Sequence, residues 1–594
     1  MQNPGAFDYE RWLYGQGYVA TGYIKALEIR PQMQPELKPE SGSVFADLVH
    51  AGLLAALTLG ERAGVTQSQW ALLRATGTIH LVVVSGLHVG ILGAISFFAL
   101  YTMLRLSPRS LFVSPRCHAR IWAGLASVVV IALYTVYIGA AAPVVRASVM
   151  AGAAIVALTM MRPLAWWRIY AVGLTFSILL NPAVVLQDGF YLSFIAVGIL
   201  LWRFAPSMRK SSWIRNAVIC QIVLSMGLSP WVGLLTGEIP GVSALANIIV
   251  VPPMTLLIIP LAMIGVFAAQ LPFMGACAGW LLLSADVGVG IILGVLDRLA
   301  GSLPVFGPLT WPLAWIAGCG ALLVMTPNVR PLLCLGIAAW AAAFYPIRMS
   351  IPAGEVRVQI LDVGQGSAAI IDTATRRMFV DVGSRFPGGF DLAAAIVLPV
   401  QRYTGPRRLD RILLTHRDND HAGGLRAVTA AFPDAEVIAP DQGCLTGRTW
   451  RWDEVEFELL THAQGNSTND RSCTLIIATR GHKVYFAGDI GRAAEARLLP
   501  SLPSSVDLLI APHHGSETSS HGAFVRHTRP RFVVFSVGKD NRYGHPRARV
   551  VERYGDVGSA RFSTAGSGAL TWHSSKAGCL TQARAGAVCI EAQQ

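Results

Sequence analysis

The sequence predicts a polytopic α-helical membrane bundle followed by a separate α/β domain. Three observations carry this reading. Apolar segments of near-bilayer length follow one another between about residue 80 and residue 347. The chain is 53% hydrophobic and only 14% charged, with a mean hydropathy of +0.49, where soluble proteins carry about 25% charged residues. Near residue 351 the texture changes to short apolar runs, Gly/Asp turns and frequent charge. At 594 residues the chain is too long for one compact domain, and its composition excludes a purely soluble protein.

Residues 1–45 are polar. Gly15, Gly17, Gly22 and the alternating Tyr18-Val19-Ala20 and Tyr23-Ile24 read as the end of a β-rich unit, and Pro31, Pro35 and Pro39 as a stiff linker. Residues 46–63 carry helical periodicity through Leu48, Ala51, Ala55 and Leu59 but end in Glu61 and Arg62, so they read as a packed or interfacial helix. The membrane unit, 46–347, then has candidate spans at 87–105, 120–141, 144–161, 166–181, 190–205, 214–236, 242–269, 276–297, 309–326 and 331–346, about ten in all. Arginines cluster in the loops 105–120, 162–168 and 203–215, which the positive-inside rule assigns to the cytoplasm. With ten spans both chain ends lie outside the cytoplasm. His88, Arg146, Asp188 and Asn247 sit at span heads or at a Pro252-Pro253 break, where hydrocarbon would penalise them, and together they predict a polar path through the bundle.

A net charge of +13 suits an anionic partner, nucleic acid or lipid headgroups, and also fits basic cytoplasmic loops. The nine cysteines form no CxxC pair. Cys117, Cys220, Cys277, Cys319 and Cys334 lie in or beside apolar stretches and read as small core residues. Cys444, Cys473, Cys579 and Cys589 lie in the polar third. If that third is outside the cytoplasm, Cys579 and Cys589 are the favoured pair, although spacing alone leaves connectivity open.

The chemistry of residues 351–594 centres on Thr415–Gly424, THRDNDHAGG. It follows the apolar run Arg411–Leu414 and precedes a helix-like segment at Leu425. His416, Asp418, Asp420 and His421 crowd into six residues. Without a cation such donors would desolvate and repel one another, so the pattern points to a divalent metal. Three more polar clusters recur: Asp489 and the pair His513-His514 at the carboxyl ends of apolar runs, and His545 in Asn541–Pro546. Strands stacked in one sheet would bring these ends to a common edge.

The order HxDxDH, GD, HHGS is similar to the metallo-β-lactamase fold. The wider pattern LDVGQG, THRDNDHAGG, FAGDI, PHHGSETSS and NRYGHP, joined to a polytopic region with SGLHVG and DGFYLSF, resembles the ComEC-type DNA-uptake channel family. NPGAFDYERWL resembles the segment closing that family's oligonucleotide-binding-like domain, so 1–45 reads as a remnant of that domain plus linker.

The resemblance implies a transmembrane competence domain over 46–347 in the inner membrane and an αββα sandwich over 351–594 on its periplasmic side. One strand of transforming DNA would cross, while a metal-dependent nuclease degrades the other. It also implies two divalent ions, manganese or zinc. His416 and Asp418 would hold one and Asp420 and His421 the second, with Asp489 bridging and His514 as a later ligand. Asp418 replaces a histidine of the usual motif and hardens the site. Asp420, His513 and His545 are the candidate catalytic residues. Arg417, Arg542, Arg547 and Ser516 are the candidate DNA contacts, with Arg426 and Arg549 nearby. The histidine expected between Asp420 and Asp489 is replaced by the stretch Asn469–Ser472, and Ser367 follows VGQG where the family often has an acid. DNA, other DNA-uptake proteins and membrane lipid are the implied partners. Two alternatives share these residues: a DNA-conducting transporter whose soluble domain binds without cutting, and a membrane-tethered metal-dependent hydrolase of another substrate.

Overall fold

The computed structural model describes residues 2–5, 10, 13–14 and 44–589, apart from 83–85, 107–114, 140–141, 160–165, 205–211, 308, 327–331, 345–349, 388, 406–407, 463–464 and 466. The chain divides into two units. One joins Met1–Glu10 to Pro346–Gln594, and the other is Arg11–Tyr345. The β-rich unit and linker read from residues 15–43 lie outside the described residues.

In the second unit, helices occupy the segments that the apolar pattern marks, from Gly86–Leu106 and Pro115–Tyr137 through Gly275–Leu299, Trp311–Met325 and Leu333–Ala343. Among the described residues, five helical stretches are long and apolar enough to cross a membrane: His88–Leu106, Ala119–Tyr137, Arg215–Thr236, Ser243–Ala268 and Gly275–Leu299. The count of about ten spans is therefore not confirmed, because the other apolar helices are short among the described residues. The expected break at Pro252-Pro253 is instead a π turn, Met254–Ile258, inside a helix that runs on to Ala268. The π turn follows the two prolines, with Ile259 N–H donating to Met254 O, and Thr255 Oγ1 donates to Val251 O at 2.8 Å.

The segment read as a packed helix forms Ala51–Thr58, with Leu53, Leu54 and Leu57 buried against Val250, Ile258, Leu282 and Val289. Its first turn is held by Asp286, which is buried within Gly275–Leu299 and accepts from His50 N–H at 2.7 Å and Val49 N–H at 3.3 Å. The cysteine reading needs correction. Cys277, Cys319 and Cys334 are exposed and Cys220 is half-buried. In lipid the outside of a bundle is as apolar as its inside, so an apolar neighbourhood does not mark burial.

The first unit is an αββα sandwich. A seven-stranded sheet runs Ala560–Ser563, Phe532–Phe535, Leu508–Ile510, His482–Phe486, Thr474–Thr479, Val455–Leu460, Arg448–Trp452. An eight-stranded sheet runs Gly586–Cys589, Cys579–Gln582, Leu570–His573, Arg357–Ile360, Ala368–Asp372, Arg377–Val382, Arg411–Leu413, Glu436–Ile438. Between them Val358, Val380, Phe457, Leu475, Phe486, Val534 and Trp572 form one apolar core. Helices cover both outer faces: Leu398–Tyr403 and Leu425–Ala431 on one side, Arg492–Leu498, Gly522–Thr528 and Ala548–Asp556 on the other. Strands covered on both faces are buried along their whole length, as Ala368–Asp372 and Arg377–Val382 are, and they are mostly apolar, with the buried charges Asp372 and Arg377 paired at 2.6 Å.

The amino-terminal residues belong to this sandwich. Gln2 N–H donates to Asp362 Oδ2 at 2.9 Å, Asn3 Nδ2 donates to Asp362 O at 2.9 Å, and Asp362 N–H donates to Asn3 Oδ1 at 2.8 Å. Two disulfides staple it. Cys579–Cys589 is the pair favoured from sequence, and Cys444–Cys473 is a second.

Candidate metal centre

The donors meet where strands of the two sheets end side by side. The expectation of one sheet edge is corrected here. His416–His421 follow Arg411–Leu413 of the eight-stranded sheet, whereas Asp489 and His513-His514 follow His482–Phe486 and Leu508–Ile510 of the seven-stranded one. Arg411–Leu413 and Leu508–Ile510 are parallel to both of their neighbours, and His482–Phe486 is parallel to Leu508–Ile510, so the polar residues that follow these apolar runs emerge at the same end of their sheets.

Among the described residues, two groups of side chains offer ligand atoms within 4.8 Å of one another: His416, Asp420 and His421, and His421, Asp489 and His514. This grouping differs from the one that motif position implies. Asp420 joins His416, and His421 belongs to both groups. Asp418 stands at the rim with half of its side chain exposed and Oδ2 3.8 Å from His416 Nε2. It is the N-terminal residue of the short helix Asn419–Ala422 but makes no side-chain cap bond.

The tautomers follow from the second layer of contacts. Asp381, buried at the end of Arg377–Val382 with φ of +56°, accepts from Thr415 N–H at 2.8 Å and from Thr415 Oγ1. Its Oδ2 lies 2.7 Å from His421 Nδ1, which therefore carries the proton. His514 Nδ1 donates to Ser536 O at 2.8 Å. Both rings thus present lone pairs at Nε2, and those two nitrogens face each other at 3.1 Å. Lone pairs so placed repel unless a cation lies between them. Asp489 Oδ1 is 3.4 Å from His421 Nε2, and Asp420 Oδ2 is 3.4 Å from His514 Nε2. Ligands bound about 2.0–2.2 Å from a shared ion stand about 3.4 Å apart in a tetrahedral site. The residues present fit a divalent metal.

Electrostatics agree with that fit. Burial works against the Asp489 carboxylate, but His514, His421 and His416 hold its pKa below the usual range. Burial pulls His421 down, yet Asp489 and Asp381 outweigh it and the imidazole is pushed up to about 10. Positive charge is wanted at this point, and a proton supplies it where an ion does not.

The turn that delivers His514 is strained. His513 (φ +48°), His514 (φ +55°) and Gly515 (φ +81°) are all left-handed. His513 is the more exposed of the pair. Its Nε2 is 3.8 Å from Asp489 Oδ2, and its Nδ1 is 3.0 Å from Thr518 Oγ1, which in turn meets Ser516 Oγ at 3.0 Å. The His545 ring is centred 6.1 Å from that of His513 and stacks on Tyr543 at 5.8 Å. Burial, then His513, His514 and Arg547, lower His545 to about 4. Asn469, in the stretch where a histidine was expected, brings Nδ2 to 3.5 Å from His513 Nε2.

Of the candidate DNA contacts, Arg417 is engaged by Asp441 at 2.7 Å, Arg542 lies over the Tyr543 ring at 4.7 Å, and Arg547 N–H ties its loop to Gly515 O at 3.0 Å. Ser367 N–H donates to Asp420 O at 3.0 Å, so this position holds the metal loop by backbone while Asp381 supplies the supporting carboxylate. Sequence reasoning missed Asp381. It obeys the rule that found the others, an acid where the apolar run Met378–Val382 ends.

In the helical unit, Arg146 is buried, donates from Nη2 to Gly189 O at 3.0 Å and lies 5.9 Å from the Phe190 ring, so it adjoins the segment that Asp188 begins. His88 is buried one turn into Gly86–Leu106, where Gly86 approaches Ala147. Asn247 lies in another cluster, with Nδ2 3.2 Å from Ser243 Oγ.

Two families match the chain: Competence protein over residues 57–330 and Metallo-beta-lactamase superfamily over residues 361–535. Competence protein ComA of Neisseria gonorrhoeae is 30% identical over 551 residues, covering 89% of this chain and 76% of the relative. Recombination protein 2 of Haemophilus influenzae is 26% identical over 625 residues, covering 95% and 77%. Among solved structures, the metallo-beta-lactamase fold protein YhfI of Bacillus subtilis aligns with 36% of this chain and 99% of its own, at 13% identity and a TM-score of 0.27.

Proposed function

This chain belongs to the competence protein family and carries a metallo-beta-lactamase superfamily domain, and we propose on that footing that it passes single-stranded DNA through the inner membrane while its α/β domain cuts the strand left outside. The observation that carries the catalytic half is the pair of facing Nε2 lone pairs, 3.1 Å apart, inside a ring of carboxylates.

In this reading His416 and Asp420 would hold one divalent ion, and His421, whose single Nε2 lone pair serves one ion only, would join Asp489 and His514 on the other. Asp418 closes the first set from the rim. Manganese or zinc suits the mixed nitrogen and carboxylate donors. Such ions, when bound, supply Lewis acidity toward a phosphodiester. The chain's own groups do the rest. Asp381 keeps the His421 proton on Nδ1. His513, at the exposed side, holds a phosphate oxygen or returns a proton to the leaving oxygen, and His545 beside it, uncharged at neutral pH, holds a phosphate oxygen through its ring N–H. Arg417, Arg542, Arg547 and Ser516 position the flanking strand. Phosphate contacts carry no base information, so cleavage is insensitive to sequence and falls steeply with salt. His88, Arg146, Asp188 and Asn247 belong to the conducting path. Two disulfides in the α/β domain support an extracytoplasmic, periplasmic placement, since such bonds persist in oxidising compartments. Other DNA-uptake proteins and membrane lipid complete the partners.

A second reading, a domain that binds DNA without cutting it, is favoured by one observation: Asn469 stands beside His513 where a ligand histidine was expected. The test uses the full chain in detergent with manganese and labelled single- and double-stranded DNA. Cleavage that is lost in Asp420→Ala and Asp489→Ala supports the nuclease. Metal-loaded protein that retains DNA and never cuts it selects the second reading.

A further inference from the structure

Beside the metal loop a hairpin carries two aromatic rings that the centre itself does not use. Arg385 and Asp391 bridge in antiparallel register, Phe386 N–H donates to Phe390 O at 2.8 Å, and Gly389, at φ +85°, donates to Phe386 O at 2.9 Å. Residues paired in this way place their side chains on one face. Phe386 is 47% exposed and Phe390 55%. Their centroids are 6.1 Å apart and their planes 32° from parallel. Half-open rings at a tight tip cost apolar exposure and lend the sandwich core little.

The hairpin is fixed to the centre and not to a distant surface. Arg385 N–H donates to Asn419 Oδ1 at 3.3 Å, and Asn419 sits between Asp418 and Asp420. Gly424 N–H donates to Gly383 O at 3.0 Å, and a Cβ on Gly423 would fall 2.4 Å from Arg385 N, so strand exit and metal loop run in contact. The exposed edges of the centre are the Asp418 and Asp420 carboxylates, on either side of that anchor.

We infer that Phe386 and Phe390 form a stacking site for an unpaired nucleobase next to the phosphate held at the metal centre. The inference rests on the nuclease or DNA-binding reading above and names its substrate class: single strands and frayed ends, not intact duplex. The two rings stand within the distance of an aromatic pair, and their exposed faces leave a platform on which a planar base can stack at about 3.5 Å. Every base offers such a face, so the contact adds affinity without sequence preference. Bases inside a duplex are already stacked and are not free to enter. Exposed Arg385, next in sequence to Phe386, provides a cation for the neighbouring phosphate.

Two readouts test this on the full chain in detergent. Phe386→Trp places a fluorophore in the site. With metal chelated, a single-stranded oligonucleotide should quench it, while the same strand built from abasic residues should not. Equal quenching by both, or by neither, overturns the inference whether or not the protein cuts DNA. With manganese present, wild type should favour the base-bearing strand over the abasic one by about tenfold in kcat/KM, and Phe386→Ala/Phe390→Ala should bring that ratio close to one. A ratio left unchanged in the double variant overturns the inference. If no strand is cut while the quenching pattern holds, the nuclease reading falls and the base site stands. Flotation with anionic lipid vesicles that is lost in the double variant, while the quenching and the abasic ratio fail, assigns the rings to the membrane surface instead.

Discussion

Asp381→Asn isolates the contact that sets the His421 tautomer. The carboxylate meets Thr415 N–H at 2.8 Å through Oδ1 and His421 Nδ1–H at 2.7 Å through Oδ2. Asparagine keeps the shape but turns one oxygen into a donor. If the amide nitrogen replaces Oδ1 it confronts the Thr415 N–H. If it replaces Oδ2 it confronts the His421 N–H, and the ring must move its proton to Nε2, the atom needed as a ligand. Either outcome loses a charge-assisted bond. Partners of this kind are worth about 10–100-fold in metal affinity, or about 1.4–2.8 kcal/mol. Competition against a chromophoric chelator, with the full chain in detergent, reads this directly, and circular dichroism checks that the sandwich is intact. An affinity within twofold of wild type would refute the positioning role of Asp381 and the tautomer argument with it.

Glu495, almost fully buried, accepts from Ser520 and His521 N–H, and burial, against those bonds, raises its pKa from 4.5 to about 7. The folded state therefore holds a proton between those values that the unfolded state has released, so stability falls by about 3 kcal/mol as pH rises from about 4.5 to 7 and then levels. Denaturant unfolding across that window should show the slope, and Glu495→Gln should flatten it. Cys444–Cys473 closes a separation of 29 residues, and Cys444→Ala should cost about 3 kcal/mol in urea unfolding. Since Cys473 N–H donates to Thr415 O at 2.7 Å and Ser472 Oγ receives Asp489 N–H, the same variant should bind metal more weakly. Unchanged affinity would show that the staple acts on stability alone.

Much of the molecule was legible because lipid and metal both impose strong local rules. A bilayer demands long apolar runs, so the helices of the second unit fall where the runs do. Metal donors crowd at strand ends, so His416, Asp420, His421, Asp489 and His514 stood out in the sequence and do meet. What was hidden depends on pairing between distant segments. Asp381 reads as an ordinary turn acid until Thr415 and His421, more than thirty positions away, arrive beside it. Asp286 reads as a lone blemish in an apolar run until the amides of Val49 and His50 reach it. The division of donors between two sheets was equally out of reach, because apolar strands covered on both faces look alike in whichever sheet they lie.

The clasp of Gln2 and Asn3 on Asp362 fixes a parity. The polypeptide leaves the sandwich before its first membrane helix and rejoins the same sandwich after its last, so its traversals of the bilayer must come to an even number. The five long helices among the described residues make an odd one. With those five inserted, at least one further stretch has to thread the lipid as well, and a stretch shorter than the hydrocarbon is wide reaches across by thinning the bilayer locally or sheltering among its neighbours.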